Sequence, residues 1–368
     1  MKKYDIAVIG AGPGGSIASK IAVEKGYSVL LLEKEDLSKG GRYKACGGAM
    51  AWELIEKIKF PEEKIDRIIE KLILHHVDGN TYQKQGKSAV IWRDKFDKFL
   101  SDSAISSGTE LKQNEELIDL KRVNSEYIVN TSNSKFSARY IIAADGVNSR
   151  TLRKLNWEKF NKEDIILTIT KEMNLREEEI NNRLGKNEVH LFFGIKDFIP
   201  MGYAWLFPKK DTITVGWGNH LSKINHAKKE FEKFLRISFV KKSILNAKLI
   251  RYTPHLIPVG VRPVLYKENV FAVGDAGGMV DPISGKGIPY AMMSADIAIK
   301  TINYCEKNGK EENMGERYIK NLDRSFLSIL KQKREMRKRI FKNDEQLKLF
   351  LSLWQFHRSS EILLKKLI

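Results

Sequence analysis

The sequence predicts an α/β (α+β) fold: a GxGxxG dinucleotide-binding, Rossmann-like domain with an inserted antiparallel β-sheet domain and a helical C-terminal region. Three observations predict it. An apolar run ends in a glycine-rich turn at the N-terminus, "YDIAVIGAGPGG". Alternating apolar and polar residues dominate the stretch from Ile165 to Leu256. A second apolar run, "NVFAVGDAGG", then returns to the parallel-sheet style ahead of a long helical pattern. The implied boundaries are 1–70, 93–160 and 263–300 for the dinucleotide domain, 71–92 and 161–262 for the sheet domain, and 301–368 for the basic helical region.

Strand "YDIAVIG" leads through "GAGPGG" into helix "SIASKIAVEKG" and on to strand "YSVLLLEKE", a βαβ start. Gly10 makes the tight turn, Gly12 lets a pyrophosphate approach the backbone, and Gly15 lets helix and strand pack, with Gly14 between them. The helix N-terminus supplies the anion site. Glu33 ends the second strand 23 residues after Gly10, where a carboxylate can accept both ribose hydroxyls of an adenosine; Lys34 follows it. These features call for a dinucleotide and leave NAD and FAD open.

After a helical "MAWELIEKIKF", the segments "KLILHHVDG" and "KSAVIWR" read as strands and "RDKFDKFLSDSAISSG" as an amphipathic helix. "ELIDLKRVN", "EYIVNTS" and "FSARYIIAADG" form a meander whose last member is long and apolar. In the sheet domain, "VHLFFGI", "YAWLFPK" and "TITVGWG" are strands and "AKKEFEKFLRISF" carries a helix; another helix begins in "GIPYAMMSADIAIKTINY".

Composition narrows the classes. A hydrophobic content of 42% with mean hydropathy −0.36 describes an ordinary globular core and excludes a disordered chain. The opening "MKKYDIAVIG" is interrupted by Asp5 and ended by glycine, so no signal peptide is expected, and no apolar run reaches the length of about 18 residues that spans a bilayer. Two cysteines, Cys46 and Cys305, without a CxxC cannot build a zinc site, and such sparse usage suits a reducing cytoplasm. Lys and Arg number 64 against 46 Asp and Glu, a formal charge of +18 that favours anionic partners. A diphosphate or an anionic membrane surface fits this charge. Nucleic acid does not, because no basic and aromatic recognition module accompanies it. The expected location is cytoplasmic, peripheral on the inner face of the cell membrane.

Two later segments select the dinucleotide. "AADGVNSR" and "AVGDAGGMVDPISGKGI" each follow a strand, and with them the chain resembles the FAD-dependent aromatic hydroxylase superfamily, whose fold is p-hydroxybenzoate hydroxylase-like. The resemblance implies FAD, with Asp145 and Gly146 near the flavin and Asp275 on the ribityl chain. It places Gly285, Gly287 and Ile288 with their backbone amides against the isoalloxazine, Leu117 beside the adenine and Arg93 near the phosphates. For Arg93 an exposed helical pair with Asp97 at i,i+4 is the competing reading.

"KACGG" together with "YAWLFPKKDTITVGWG" looks like the geranylgeranyl reductase family, which carries an aromatic-x-Trp-x-Phe-Pro segment and a Val-Gly-x-Gly strand. Tyr203, Trp205, Phe207, Pro208, Val215, Gly216 and Gly218 match it, and the resemblance runs from about Lys3 to about Tyr304. It implies that reduced FAD saturates isolated double bonds of polyprenyl chains, in archaeal lipids, geranylgeranyl diphosphate, chlorophyll tails or quinones. It also implies that Ala45, Cys46, Gly47 and Gly48 lie against the flavin. No second GxGxxG is present, so NAD(P)H, ferredoxin or another reductase protein remain open as electron donor.

The residue chemistry stands beside that resemblance. A polyprenyl chain needs a long apolar site. Tyr203, Trp205 and Phe207 share one face of a strand at period two, and Trp217 on the next strand joins them as a substrate-binding candidate; ordinary sheet core is the competing reading. Alkene reduction also needs a proton source, for which the Cys46 thiol and the Tyr203 hydroxyl are candidates beside a buried water, while packing is the other role open to Cys46. In the C-terminal region, "SFLSILKQKREMRKRIF" is basic and Leu347, Phe350, Leu351 and Trp354 recur at i, i+3, i+4, i+7. That pattern fits a membrane-surface helix pair or, equally, a solvated helix beside a core-packed one. The same scaffold also serves flavin monooxygenases and halogenases, whose Trp-x-Trp-x-Ile-Pro segment differs here at Tyr203 and Phe207, and a membrane-docked electron carrier would explain the charge.

Overall fold

Strand Lys2–Ile9 is wholly apolar from Ile6 to Ile9, where it lies inside a parallel sheet with Val29–Leu32 on one edge and Lys135–Ala143 on the other. The computed structural model describes residues 1–38, 43–194 and 199–354, and these fold as two compact units.

The first unit takes Met1–Tyr43, Asp94–Asp164 and Ile257–Arg334. Its sheet runs Glu110–Lys112, Val29–Leu32, Lys2–Ile9, Lys135–Ala143 and Val270–Ala272, all in parallel pairs. Lys135–Ala143 is more than the end of a meander. Its first half pairs antiparallel with Glu126–Thr131, while its second half pairs with Val270–Ala272 and its far edge with Lys2–Ile9. Burial on both faces explains its apolar sequence. Helices Pro13–Glu24 and Ile288–Lys307 pack together, and Gly14 makes the approach close: a Cβ there would lie 3.2 Å from the Ala291 carbonyl oxygen. Gly14 therefore serves helix packing. The Tyr27 and Tyr140 hydroxyls donate to Glu306 at 2.6 and 2.8 Å and tie the end of Ile288–Lys307 to the sheet.

The second unit takes Lys44–Arg93, Ile165–Leu256 and the chain from Glu335. Its sheet order is Lys248–Pro258, Ile165–Asn174, Thr212–His220, Tyr203–Pro208, Glu188–Phe193, Arg67–His76, Thr81–Val90 and Ala49–Ala51. Tyr203–Pro208 is antiparallel to both neighbours, but Glu188–Phe193 runs parallel to Arg67–His76, so the sheet is mixed. One face is covered by helices Glu177–Leu184, Ala227–Leu235 and Ser238–Ser243, whose Ile180, Leu184, Phe231, Phe234 and Val240 pack on Ala204, Leu206, Ile213, Val215 and Trp217.

Two boundaries differ from the sequence expectation. The first unit stops at Tyr43 rather than 70, because Ala49–Ala51 pairs with Ser88–Val90 of the second sheet, and only Trp52–Lys57 of "MAWELIEKIKF" is helical. The C-terminal region is also not separate, since it joins the first unit through Arg334 and the second from Glu335. Nor is it one solvated basic face. Lys333 and Arg337 are only 2% and 3% exposed and Arg334 pairs with Asp164 at 2.5 Å. Leu347, Phe350 and Leu351 of helix Asp344–Trp354 are buried, so their spacing is a core stripe. Arg42 and residues 355–368 lie outside the described residues. Among the described residues, no helix is long and apolar enough to cross a membrane.

Candidate functional site

The first unit presents a dinucleotide cradle. Strand Lys2–Ile9 ends at Gly10, whose φ of +100° turns the chain into the helix Pro13–Glu24. A Cβ at Gly15 would lie 1.8 Å from the Gly10 carbonyl oxygen, so only glycine permits this approach. The helix begins at Gly12 with no side-chain cap and no acidic residue in its first turn, which leaves its N–H groups for an anion. Glu33 is 2% exposed, and its two oxygens accept the Ala11 and Glu35 amides at 2.9 and 3.1 Å. It thereby fixes the glycine turn, and a carboxylate at this place is the kind of group that accepts ribose hydroxyls. Lys34 is exposed and lies 3.7 Å from Glu35.

Asp145 follows the central strand. One carboxylate oxygen accepts the Thr151 amide and hydroxyl at 2.9 and 2.8 Å, whereas the other is buried with no partner at ordinary hydrogen-bond geometry among the described residues. Burial raises its carboxyl above the ordinary range. Gly146 beside it has φ +81°. An orphaned acceptor beside a dinucleotide turn is what a bound cofactor with hydroxyl or N–H donors would complete.

Downstream, Gly287 opens helix Ile288–Lys307 without a side-chain cap, and an Asp275 oxygen lies 3.2 Å from where a Gly287 Cβ would stand. Asp275, Gly287 and Ile288 are thus neighbours, with Gly285 (φ +69°) in the turn before them. That turn has an anchor the sequence reading did not single out. Asp281 accepts the Ile283 and Ser284 amides at 2.9 and 3.0 Å and pairs with Lys333 at 2.6 Å, both side chains nearly inaccessible. Leu117 is buried in the core and its carbonyl accepts from Arg150. Arg93 is 5% exposed and Asp97 1%, so both side chains are buried rather than exposed on the helix. The donor set therefore fits an adenine dinucleotide carrying a ring to be held at a second helix N-terminus, as FAD is.

The second unit presents an aromatic strip on the sheet face opposite its helix-covered core. Tyr203, Trp205 and Phe207 follow one another with ring centroids 5.9 and 6.5 Å apart, and Phe193 extends the row beyond Tyr203 at 5.5 Å. Trp205 is only 7% exposed, its indole nitrogen has no hydrogen-bond partner, and its ring lies flush over Gly216, where a Cβ would stand 1.9 Å from ring carbons. Trp217 does not belong to this row. It pairs directly with Ala204, shares that residue's face, and is fully buried in the opposite core.

The cysteine segment meets the strip. A Cβ on Gly47 would lie 2.5 Å from the Phe207 ring and 3.3 Å from the Trp205 indole nitrogen. The Gly48 carbonyl (φ +85°) accepts from the Ile91 amide at 3.0 Å, and the Gly48 amide donates to the Cys46 sulfur at 3.4 Å. Cys46, like Cys305, is a free thiol, and both it and Ala45 are half-buried. Two motifs about 150 residues apart in sequence thus form one apolar surface with a thiol at its edge.

Comparison with known proteins shows the family and the fold. The family described as FAD binding domain matches residues 3–314. Digeranylgeranylglycerophospholipid reductase of Methanocaldococcus jannaschii is 30% identical over 337 residues, covering 84% of this chain and 81% of that protein. Among solved structures, a geranylgeranyl bacteriochlorophyll reductase-like protein from Thermoplasma acidophilum superposes with TM-score 0.84 at 21% identity, over 97% of this chain and 92% of that one. A flavin-dependent brominase shares the fold with TM-score 0.75 at 16% identity, over 96% and 93% of the two chains.

Proposed function

Because the chain belongs to the geranylgeranyl reductase family of FAD-dependent oxidoreductases, we propose that it saturates isolated carbon–carbon double bonds in the polyprenyl chains of membrane lipids. The observation that carries this reading is the row Phe193, Tyr203, Trp205 and Phe207 with Gly47 packed on its end. Such a row is apolar along its length with few polar groups, which suits an isoprenoid tail.

FAD is held by the Gly10–Gly15 turn, the N-terminus of Pro13–Glu24, Glu33, Asp145, Asp275 and the Gly287–Ile288 helix start. In its reduced form it supplies a hydride. The chain supplies orientation and a proton. Trp205 is pressed against Gly216 and held by neighbours on both sides, so the strip is rigid before substrate arrives. The Cys46 sulfur accepts a hydrogen bond from Gly48, which leaves the S–H hydrogen for the carbon that does not receive the hydride. The net charge of +18 supports peripheral work at the anionic inner face of the cell membrane, with reducing equivalents from NAD(P)H or a reductase protein.

A second reading, oxygen-dependent monooxygenation or halogenation, draws on the fold shared with the brominase. Chemically reduced protein mixed anaerobically with a geranylgeranyl lipid separates the two. Flavin reoxidation by the lipid alone supports alkene reduction; reoxidation only after oxygen is admitted, with oxygenated product, overturns it.

A further inference from the structure

Four of the fourteen exposed large apolar side chains among the described residues fall within eight positions: Leu245, Leu249, Ile250 and Tyr252, each between 42% and 55% exposed. No other described stretch of that length holds more than two. None of the four belongs to the cofactor cradle or the aromatic strip. They stand where the second unit's sheet ends, on strand Lys248–Pro258 and the turn that leads into it.

This ridge is held in shape. Helix Ser238–Ser243 runs into a turn at Asn246, φ +61°, and the chain enters the strand at Lys248. Arg183 fixes the turn by donating to the Ser243 and Leu245 carbonyls at 3.4 and 2.6 Å, and Glu179 accepts from its other nitrogen at 2.7 Å. Leu249 and Ile250 are neighbours on an extended strand, so they point to opposite sides of it. A ridge apolar on both flanks offers no single face to a folded partner, whereas a fluid lipid phase closes around it. Tyr252, with the Lys171 ammonium 6.0 Å from its ring, has the mixed character of side chains that settle at the level of lipid head groups.

The surrounding charge selects the lipid. From Lys233 to Tyr252 the chain carries Lys233, Arg236, Lys241, Lys242, Lys248 and Arg251, all exposed, and no acidic residue. Glu232, half-buried on helix Ala227–Leu235, is the carboxylate whose field reaches Tyr252, and Glu179 is matched by Arg183. The patch is therefore cationic. A second copy of this chain would bring the same cations face to face, and Pro254 within the strand has no N–H to offer a pairing strand. Lysines around exposed apolar side chains complement anionic phosphates lying over hydrocarbon.

Resting on the reading of the substrate as a membrane lipid, we propose that the ridge from Lys241 to Tyr252 docks this protein on an anionic phospholipid bilayer. Leu245, Leu249 and Ile250 enter the head-group layer, and the lysines contact lipid phosphates.

The test is co-sedimentation of the full-length FAD-loaded protein with vesicles of phosphatidylcholine alone and of equal parts phosphatidylcholine and phosphatidylglycerol. Preferential binding to the mixed vesicles, weakened by salt, is expected. Leu249→Ser with Ile250→Ser should weaken it roughly 10-fold or more, and Lys241→Gln, Lys242→Gln and Lys248→Gln together roughly 100-fold. Ile118→Ser with Val123→Ser, a comparably exposed pair in the first unit, should leave it unchanged. Every variant should keep its FAD and its turnover of a geranylgeranyl lipid dispersed in detergent micelles, which reports that it is folded. Equal binding to both kinds of vesicle, or undiminished binding by both ridge variants, overturns the docking surface and leaves alkene reduction standing. So does a dimer in light scattering that Leu249→Ser with Ile250→Ser converts to monomer, since a second copy would then cover the ridge. Absence of turnover in micelles by the unaltered protein overturns the reductase reading instead, and is read separately from vesicle binding.

Discussion

Replacing Lys333 with methionine removes one partner of a fully enclosed ion pair, and the structure fixes how large the effect should be. The Lys333 Nζ and Asp281 Oδ2 atoms are 2.6 Å apart, with side-chain exposures of 3% and 5%. Breaking such a pair from one side strands the other charge, at a cost of about 3–5 kcal/mol. Asp281 keeps two hydrogen bonds, from the Ile283 and Ser284 amides, so the effect should fall near the lower end, about 3 kcal/mol. For a unit of this size that corresponds to a fall in Tm of roughly 6–12 °C. The turn destabilised leads directly into Gly287 and Ile288, so FAD should dissociate at a lower temperature than in the unaltered protein. Thermal scans read by flavin release and far-ultraviolet circular dichroism measure both. Asp281→Asn combined with Lys333→Met removes both charges and should recover part of the loss, a coupling that a double-mutant cycle reads directly. A Lys333→Met protein that melts within about 1 °C of the unaltered one would refute the reasoning, because the pair would then contribute no more than a surface ion pair.

Two further predictions follow from the second unit. His75 and His190 share a hydrogen between their rings at 2.9 Å, and burial, with His190 adding to it, lowers His75 from 6.5 to about 4. The folded pKa lies below the unfolded one, so the unfolded chain binds the extra proton. Stability should be full above about pH 6.5 and fall as pH drops towards 4, by roughly 3 kcal/mol in all, as urea melts across that range would register. For Cys46→Ala, turnover of a geranylgeranyl substrate should drop at least about 100-fold with FAD content unchanged; near-full turnover would remove the thiol from proton transfer.

What could be read from the sequence was local. The strand Lys2–Ile9, its glycine turn and Glu33 sit within one βαβ unit, and their spacing alone dictates the cradle. The period-two row of Tyr203, Trp205 and Phe207 was equally legible, because alternation along a single strand needs no partner. What depended on distant pairing was not. Trp217 looks like a fourth member of the row until its register with Ala204 turns it to the other face. The contact of Gly47 with Phe207 exists only because Ala49–Ala51 joins the edge of the second sheet. Lys333 reads as one lysine in a basic cluster, and only the approach of Asp281, 52 residues earlier, makes it a buried partner. The long strand Lys135–Ala143 shows the same limit: its apolar run announced burial, but its parallel neighbours lie more than 120 residues away on either side of the chain order.

The central claim is that this chain adds hydrogen across isolated polyprenyl double bonds, and product mass tests it most directly. Chemically reduced, FAD-loaded protein is incubated anaerobically with a geranylgeranyl lipid, and the products are weighed by mass spectrometry. Successive gains of two hydrogens without added oxygen are expected, and they should be lost when Trp205 is replaced by alanine. An unchanged lipid under these conditions, with a gain of oxygen or halogen once air and halide are supplied, would contradict it.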